Sequence, residues 1–216
     1  MRLTKHAHAC VQVEHDGKRI VIDPGGFTPD TPMLLEAADV VLVTHAHGDH
    51  VSLDALASAM SAREHLTVYG PESVAASLRD EFGDRVHTVE AGDELEIAGL
   101  TVSVHGSLHA AVLPGVPRVP NVGYLLGGQV YHPGDSLDPP GVEVDTLLVP
   151  ISGPWMKLAE VVEFVAAVNP QRAIAIHEAL LSRIGLELAG RLLGEGGACP
   201  VPVEQFTPGE EFWPSR

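Results

Sequence analysis

The chain has 216 residues, 45% of them hydrophobic, which is enough to bury a sizeable core and predicts a single domain over residues 1–216. No apolar run approaches the roughly 18 to 20 residues of a membrane helix, and the first residues lack the apolar segment of a secretory signal, so a cytoplasmic location is expected. The formal net charge of -16 and the lack of a Lys/Arg cluster make a long nucleic acid an unfavourable partner.

The first half of the chain alternates between strand-like and helix-like segments. Residues 3–14 contain an extended stretch, Asp16-Gly17 supplies a turn, and residues 18–22 form the second strand of a predicted hairpin. A loop through Pro29 and Pro32 then leads to an apolar strand at residues 40–43. The segments that follow are a helix over 52–62, a strand over 66–69, a helix over 72–82, and β-like segments over 86–89, 94–97 and 100–105.

The second half begins with a segment of little regular structure. Residues 106–120 are rich in glycine and proline, and such a loop in a compact domain is often functional, so we expect it to form a wall of a site. A hairpin over 122–132 turns at Gly127-Gly128. The later segments are strands over 146–149, 172–176 and 203–206 and helices over 157–168 and 180–193. Strands followed by helices in both halves predict two sheets packed together with helices outside.

Three histidines and an aspartate crowd the segment after the strand at 40–43. The sequence there is Thr44-His45-Ala46-His47-Gly48-Asp49-His50. If His45 and His47 leave the strand in extended form, their spacing of two points both side chains towards one metal ion. A turn at Gly48 then redirects Asp49 and His50 towards a neighbouring ion. Neutral imidazole and carboxylate ligands suit zinc, with iron, manganese and nickel as alternatives.

Further candidate ligands lie downstream, each after a predicted strand. His109 lies in the irregular loop, Asp135 follows the second hairpin in a Gly-Asp pair, and His177 ends the strand at 172–176. Together with the His-x-His-x-Asp-His segment, this order resembles the metallo-β-lactamase superfamily over essentially the whole chain. A narrower similarity, to small bacterial members related to ascorbate-6-phosphate lactonase, is carried by His8-Ala9-Cys10, Ile22-Asp23-Pro24 and Gly134-Asp135-Ser136.

The resemblance implies a fold and a ligand set. The fold is α/β: a four-layer αββα sandwich of two mixed β-sheets flanked by helices. The first metal ion would be held by His45, His47 and His109 and the second by Asp49, His50 and His177, with Asp135 bridging them. Asp49 would also accept a proton from the attacking water. His105, four positions before His109, is the alternative third ligand of the first ion.

Such a centre implies hydrolysis without a side-chain nucleophile. Two ions about 3.5–4 Å apart would convert a bridging water to hydroxide near neutral pH and polarise the scissile group. The expected substrate is a small ester, lactone or phosphodiester, and two bound cations make an anionic one acceptable despite the net charge. Two alternatives stay open: a phosphodiesterase or nuclease of the superfamily, and a metal- and ligand-binding protein of the same fold without turnover. Homo-oligomerisation is also left open.

Five further residues are candidates for supporting the site or binding substrate. His8 faces the site or is a buried imidazole bonded to a neighbouring carbonyl. Asp23 orients a ligand histidine through its free ring nitrogen or caps the turn after its strand. A later loop offers a hydroxyl, an aromatic face and a cation from Ser152, Trp155 and Lys157. The alternative is a loop that precedes a helix, with Trp155 packed on the core.

Overall fold

The computed structural model describes residues 1–106 and 108–214, which form fourteen strands, six α-helices and one 3-10 turn (Gly83–Arg85); the strands and α-helices are numbered here along the chain. Residue 107, in the predicted irregular loop, lies outside the described residues. The first sheet contains β1 (Arg2–Lys5), β2 (Val11–His15), β3 (Lys18–Ile22), β4 (Val40–Leu42), β5 (Thr67–Gly70), β6 (Val86–Thr88) and β14 (Glu211–Phe212). Its order is β14-β1-β2-β3-β4-β5-β6, antiparallel up to β3 and parallel from β3 to β6.

The second sheet repeats this plan with strands from the rest of the chain. It contains β7 (Glu94–Ile97), β8 (Leu100–His105), β9 (Gly123–Leu126), β10 (Val130–His132), β11 (Thr146–Pro150), β12 (Arg172–Ile176) and β13 (Val203–Glu204). Its order is β13-β12-β11-β10-β9-β8-β7. The strands β7 to β10 pair antiparallel and β10 to β13 in parallel. Both sheets are therefore mixed, as predicted.

Helices cover the outer face of each sheet. The first sheet packs against α1 (Thr31–Ala37), α2 (Leu53–Ala62), α3 (Glu72–Ala75) and α4 (Arg79–Phe82), and the second against α5 (Leu158–Val168) and α6 (Arg183–Leu193). Because side chains alternate along a strand, Val40 and Leu42 enter the core between the sheets, whereas Val41 packs against the helices. The predicted four-layer αββα sandwich is confirmed. Within the described ranges, no helix has the length and apolar character to span a membrane.

Local structure differs from the predictions at several places. The extended stretch at 3–14 is two strands, because the chain turns at residues 6–10, where His8 has a φ of 59°. Helix α1 lies where a loop was predicted: Pro32 stands in its first turn, where a missing N–H costs no helical hydrogen bond. The single helix predicted at 72–82 is the pair α3 and α4. The short strand β14 was not predicted.

Candidate metal centre

Strand ends from both sheets meet at one edge of the sandwich. Asp23 follows β3 and His45 follows β4 in the first sheet, while Asp135 follows β10 and His177 follows β12 in the second. Ligands of α/β sheets commonly bind outside the carboxyl ends of the strands. The distance of 3.9 Å between His45 Nε2 and Asp135 Oδ2 shows that the two sheets contribute to one cluster.

Within the described residues, eight side chains at this edge form two groups with metal-ligand chemistry. In each group, one ligand atom per residue lies within 4.8 Å of those of the others. The first ligand group contains His45, His47, His109 and Asp135. The second ligand group contains Asp49, His50 and His177, and His8 is the eighth side chain, which lies against this group. Only His47 and Asp49 among the eight are partly exposed. The centre therefore faces solvent on the side of these two residues.

The carboxylate of Asp135 connects the two ligand groups. Its Oδ1 lies 3.0 Å from His50 Nε2 and 3.1 Å from His177 Nε2, both in the second ligand group. Its Oδ2 lies 3.2 Å from His109 Nε2, in the first ligand group. The side chain is only 3% exposed. The arrangement gives each group one oxygen of a shared carboxylate.

The donor atoms at the centre fit a divalent metal ion. Asp135 Oδ1, His50 Nε2 and His177 Nε2 are buried, and although Oδ1 lies within 3.1 Å of both nitrogens, none of the three has a partner in hydrogen-bond geometry among the described residues. Buried polar atoms without partners are costly, and proteins rarely leave several of them together. A cation coordinated by these atoms would satisfy them all. Imidazole nitrogen and carboxylate oxygen are ligands that zinc accepts.

Hydrogen bonds hold the ring nitrogens so that Nε2 faces the centre. Asp23 Oδ2 lies 2.6 Å from His50 Nδ1 and also accepts the Thr44 hydroxyl at 2.7 Å. Because that hydroxyl donates to Asp23, its oxygen is free to accept from His45 Nδ1 at 3.0 Å. His109 Nδ1 lies 2.6 Å from the Ala110 carbonyl. In the neutral tautomer, which carries its hydrogen on Nδ1 alone, the Nε2 atoms of these three histidines have free lone pairs, as metal ligation requires.

The backbone around the centre adopts conformations that most residues avoid. Asp23, His177 and His8 all have positive φ, at 49°, 64° and 59°. Non-glycine residues in this region are uncommon and concentrate at functional sites. Gly25 allows a close approach as well, since a Cβ there would lie 1.8 Å from the Asp49 carbonyl oxygen. Unfavourable backbone conformations are therefore found at residues that form or support the candidate metal centre.

Charge is concentrated on the carboxylates at the centre. Burial opposes ionisation of Asp135, but the imidazoles of His50, His109 and His177 outweigh it and hold the pKa of this carboxyl well below its usual range. Burial likewise opposes ionisation of Asp23, and His50 outweighs it, so the pKa of Asp23 is lowered. For His45, burial lowers the pKa well below its usual value. At His50 the carboxylates of Asp135 and Asp23 outweigh burial and raise the pKa well above its usual value, so without metal this imidazole holds a proton that a bound ion would displace. Ionised carboxylates and neutral imidazole are the forms that bind metal.

The structure brings all seven sequence-predicted ligands together. His109, rather than the alternative His105, lies in the first ligand group. His105 Nε2 instead lies 3.0 Å from Ser103 Oγ, and its ring contacts Tyr131 at a centroid distance of 5.8 Å. The loop after β8 therefore carries the ligand, and the strand end carries a structural histidine.

The weaker candidates occupy different positions. His8 is buried against Asp49, and Asp23 bonds a ligand histidine as described above. Ser152 donates its hydroxyl to the His177 carbonyl, and Trp155 Nε1 donates to Asp135 Oδ2 at 3.0 Å. These contacts support ligands rather than leave the groups free for a substrate. The Lys157 side chain is 83% exposed and lies 3.8 Å from Glu160, so it is not brought to the centre.

Several supporting residues were missed by sequence reasoning. Asn121 Oδ1 accepts from the Asp135 backbone N–H at 3.0 Å, and its Nδ2 donates to the Pro133 carbonyl. Thr44 links Asp23 to His45. Lys5 is fully buried in β1. Only Lys5 had a usable signal: it shares the buried face of β1 with Leu3 by the period of two.

Comparisons with known proteins agree with this geometry. A protein-family model for the β-lactamase superfamily domain matches residues 2–177. The Mycobacterium tuberculosis protein Rv0786c is 35% identical over 84% of this chain and 86% of its own length. The UPF0173 metal-dependent hydrolase MK1542 of Methanopyrus kandleri is 30% identical over 82% of this chain and 84% of its own. Igni18, a metallo hydrolase of Ignicoccus hospitalis, shares the fold with a TM-score of 0.72 at 22% identity, over 98% of this chain and 97% of that one.

Proposed function

The chain belongs to the β-lactamase superfamily, and from that membership we propose that it is a metal-dependent hydrolase with a dinuclear centre. Zinc is the metal we expect, because the donors are imidazole nitrogens and carboxylate oxygens. The proposed substrates are small esters, lactones or phosphodiesters. The relative named a metal-dependent hydrolase supports the reaction class. The narrower likeness to ascorbate-6-phosphate lactonase stays a prediction.

The two oxygens of the Asp135 carboxylate face different ligand groups, and this observation carries the dinuclear proposal. One oxygen is directed at His109 of the first ligand group, and the other at His50 and His177 of the second. A site for a single structural ion would close a four-ligand shell and would have no use for the second oxygen. In the proposal, Asp135 would offer one oxygen to each of two ions. His45, His47 and His109 would hold the first ion, and Asp49, His50 and His177 would hold the second.

When bound, two divalent ions supply Lewis acidity: they lower the pKa of a coordinated water and polarise the electrophile. The protein residues divide the remaining tasks. Asp135 is 3% exposed and fixed by the backbone bond to Asn121 and by Trp155, which suits a rigid bridge. Asp49 is 22% exposed at the open side of the centre and has its Oδ2 near His8. We assign Asp49 as a ligand that also accepts the proton from the attacking water.

The experiment combines metal content with turnover. Metal-free protein would be reconstituted with Zn²⁺, analysed for metal per chain, and assayed against a chromogenic phosphodiester, an aryl ester and a lactone panel. We expect about two ions per chain and metal-dependent hydrolysis of at least one class. A His65→Ala variant is the matched control, because this exposed histidine lies outside both ligand groups.

The outcomes separate the alternatives. Two ions with saturable ligand binding but no product from any class would replace the hydrolase with a binding protein. Binding of at most one ion after careful reconstitution would reject the dinuclear centre. Turnover confined to the phosphodiester would favour the phosphodiesterase branch.

A further inference from the structure

An ion pair between a fully buried lysine and a partly exposed glutamate lies beside the second ligand group, outside the ligands themselves. The Lys5 side chain is fully buried, and its Nζ lies 2.9 Å and 3.0 Å from the two carboxylate oxygens of Glu178. It also donates to the His6 carbonyl. A lysine removed from water in this way is rare unless it is paired. Glu178 directly follows the ligand His177 in the chain, so the pair joins β1 to the end of β12.

The same contacts fix the turn between β1 and β2. Glu178 Oε1 accepts from the His8 backbone N–H at 2.9 Å. In return, the His8 carbonyl accepts from the His177 backbone N–H at 3.0 Å. The two histidines both have positive φ, which an isolated turn would not hold without such restraints. The backbone of His8 is thus tied on both sides to residues 177 and 178.

The tied turn directs the His8 side chain at the second ligand group. The ring is fully buried, and its Nε2 lies 3.1 Å from Asp49 Oδ2. The ring centroid lies 3.8 Å from that of His177. His8 therefore touches two members of the second ligand group, one carboxylate and one imidazole, and it restricts the movement of both.

We propose that the Lys5–Glu178 ion pair is a positioning clamp, which holds the His8 turn so that Asp49 and His177 are preorganised for the second metal ion. The inference rests on the proposed dinuclear centre and adds to it two residues, Lys5 and Glu178, that lie outside both ligand groups. The first ligand group lacks this clamp in the described structure: His45 and His109 are oriented by Thr44 and Ala110. The clamp should therefore act on one metal position and spare the other.

The test titrates metal-free protein with Zn²⁺ by calorimetry and with Co²⁺ by visible absorption. His109→Ala and His177→Ala identify which binding step belongs to the first and second ligand groups. In Lys5→Met, methionine places an uncharged, unbranched side chain in the buried position of the lysine. We expect the second-group step to weaken about 10- to 100-fold. The first-group step should stay within about threefold.

Two further variants keep the test decisive if Lys5→Met folds poorly. Glu178→Gln keeps the shape but removes the charge, and His8→Asn keeps the ion pair but removes the ring. Both should give the same selective loss, and both should change the Co²⁺ absorption of the second-group step. Arg172→Met is the matched control, because the Arg172–Glu204 pair joins β12 to β13 without touching a ligand.

The proposal is overturned by unchanged second-group affinity in all three variants, or by equal weakening of both steps, which would indicate only a general loss of stability. A wild-type protein that binds a single ion gives a different result: it rejects the dinuclear centre itself. Thermal unfolding of each variant, measured in parallel without metal, separates a selective effect on affinity from partial unfolding.

Discussion

The two ligand groups are built in different ways. In the first ligand group, His45 is oriented by the hydroxyl of Thr44 and His109 by the carbonyl of Ala110, which are immediate neighbours in the chain. In the second ligand group, His50 is oriented by Asp23, 27 positions away, and Asp49 by a residue 41 positions away, His8. His45 and His109 of the first group are therefore supported locally, whereas His50 and Asp49 of the second depend on the assembly of β-strands and turns from distant parts of the chain.

This difference suggests that the two metal positions respond differently to the same perturbation. Local supports form whenever the segment itself folds, but distant supports require the whole edge of the sandwich to be in register. We expect the second-group position to be the weaker of the two and the one that is more sensitive to substitutions outside the ligands.

Removal of the shared carboxylate should weaken metal binding at both positions, and we expect it to have the largest effect. In Asp135→Ala both groups lose an oxygen ligand, so we expect less than one ion per chain and a fall in kcat/KM on the order of 10³-fold or more. Elemental analysis and the substrate panel measure both effects. Asp138→Ala, at a carboxylate that is 66% exposed, is the control. Retention of two ions by the Asp135→Ala variant would show that this carboxylate is not needed to hold them together.

Loss of a distant support should weaken metal binding mainly at the second ligand group. In Asp23→Asn, His50 loses the carboxylate partner of its Nδ1, and we expect the second-group step to weaken about 10- to 100-fold. The first-group step should change less, because Thr44 lies between Asp23 and His45. Metal titration resolves the two steps, with Asp39→Asn as the surface control. Weakening of the first-group step alone would contradict the assignment of these supports.

The smallest expected effect concerns a support of the first ligand group. Trp155 Nε1 donates to Asp135 Oδ2, the oxygen that faces His109. In Trp155→Phe the loss of this bond should cost about 1 kcal/mol, or about fivefold in the affinity of the first-group step. Trp213→Phe, at an indole that is 55% exposed, is the control in the same titration. A larger loss in the second-group step would show that Trp155 acts through something other than this oxygen.

Sequence reasoning predicted most of what is local and little of what is distant. The segment from His45 to His50 carries four ligands within one loop, and the spacing of the residues was enough to predict two ion positions. The choice between His105 and His109 depended on resemblance, since His105 ends β8 and His109 lies in the loop just after it. The two-sheet architecture followed from the alternation of strands and helices in both halves.

The remaining features depend on contacts that no local pattern records. The pairing of Lys5 with Glu178 spans 173 positions and exists only because β1 and β12 end at the same edge. The sequence left Asp23 open between orienting a ligand histidine and capping a turn, because the choice depends on a positive φ and on the parallel pairing of β3 with β4. Strand β14 has two residues and gives no periodic signal of its own. Helix α1 was hidden by a proline that its first turn accommodates.

The most direct test of the central claim is anomalous X-ray scattering at the zinc edge from crystals of the zinc-reconstituted wild-type protein. We predict two anomalous peaks about 3.5–4 Å apart, one among His45, His47 and His109 and the other among Asp49, His50 and His177, with Asp135 between them. A single peak closed by four protein ligands, at full occupancy and with excess zinc, would contradict the dinuclear centre.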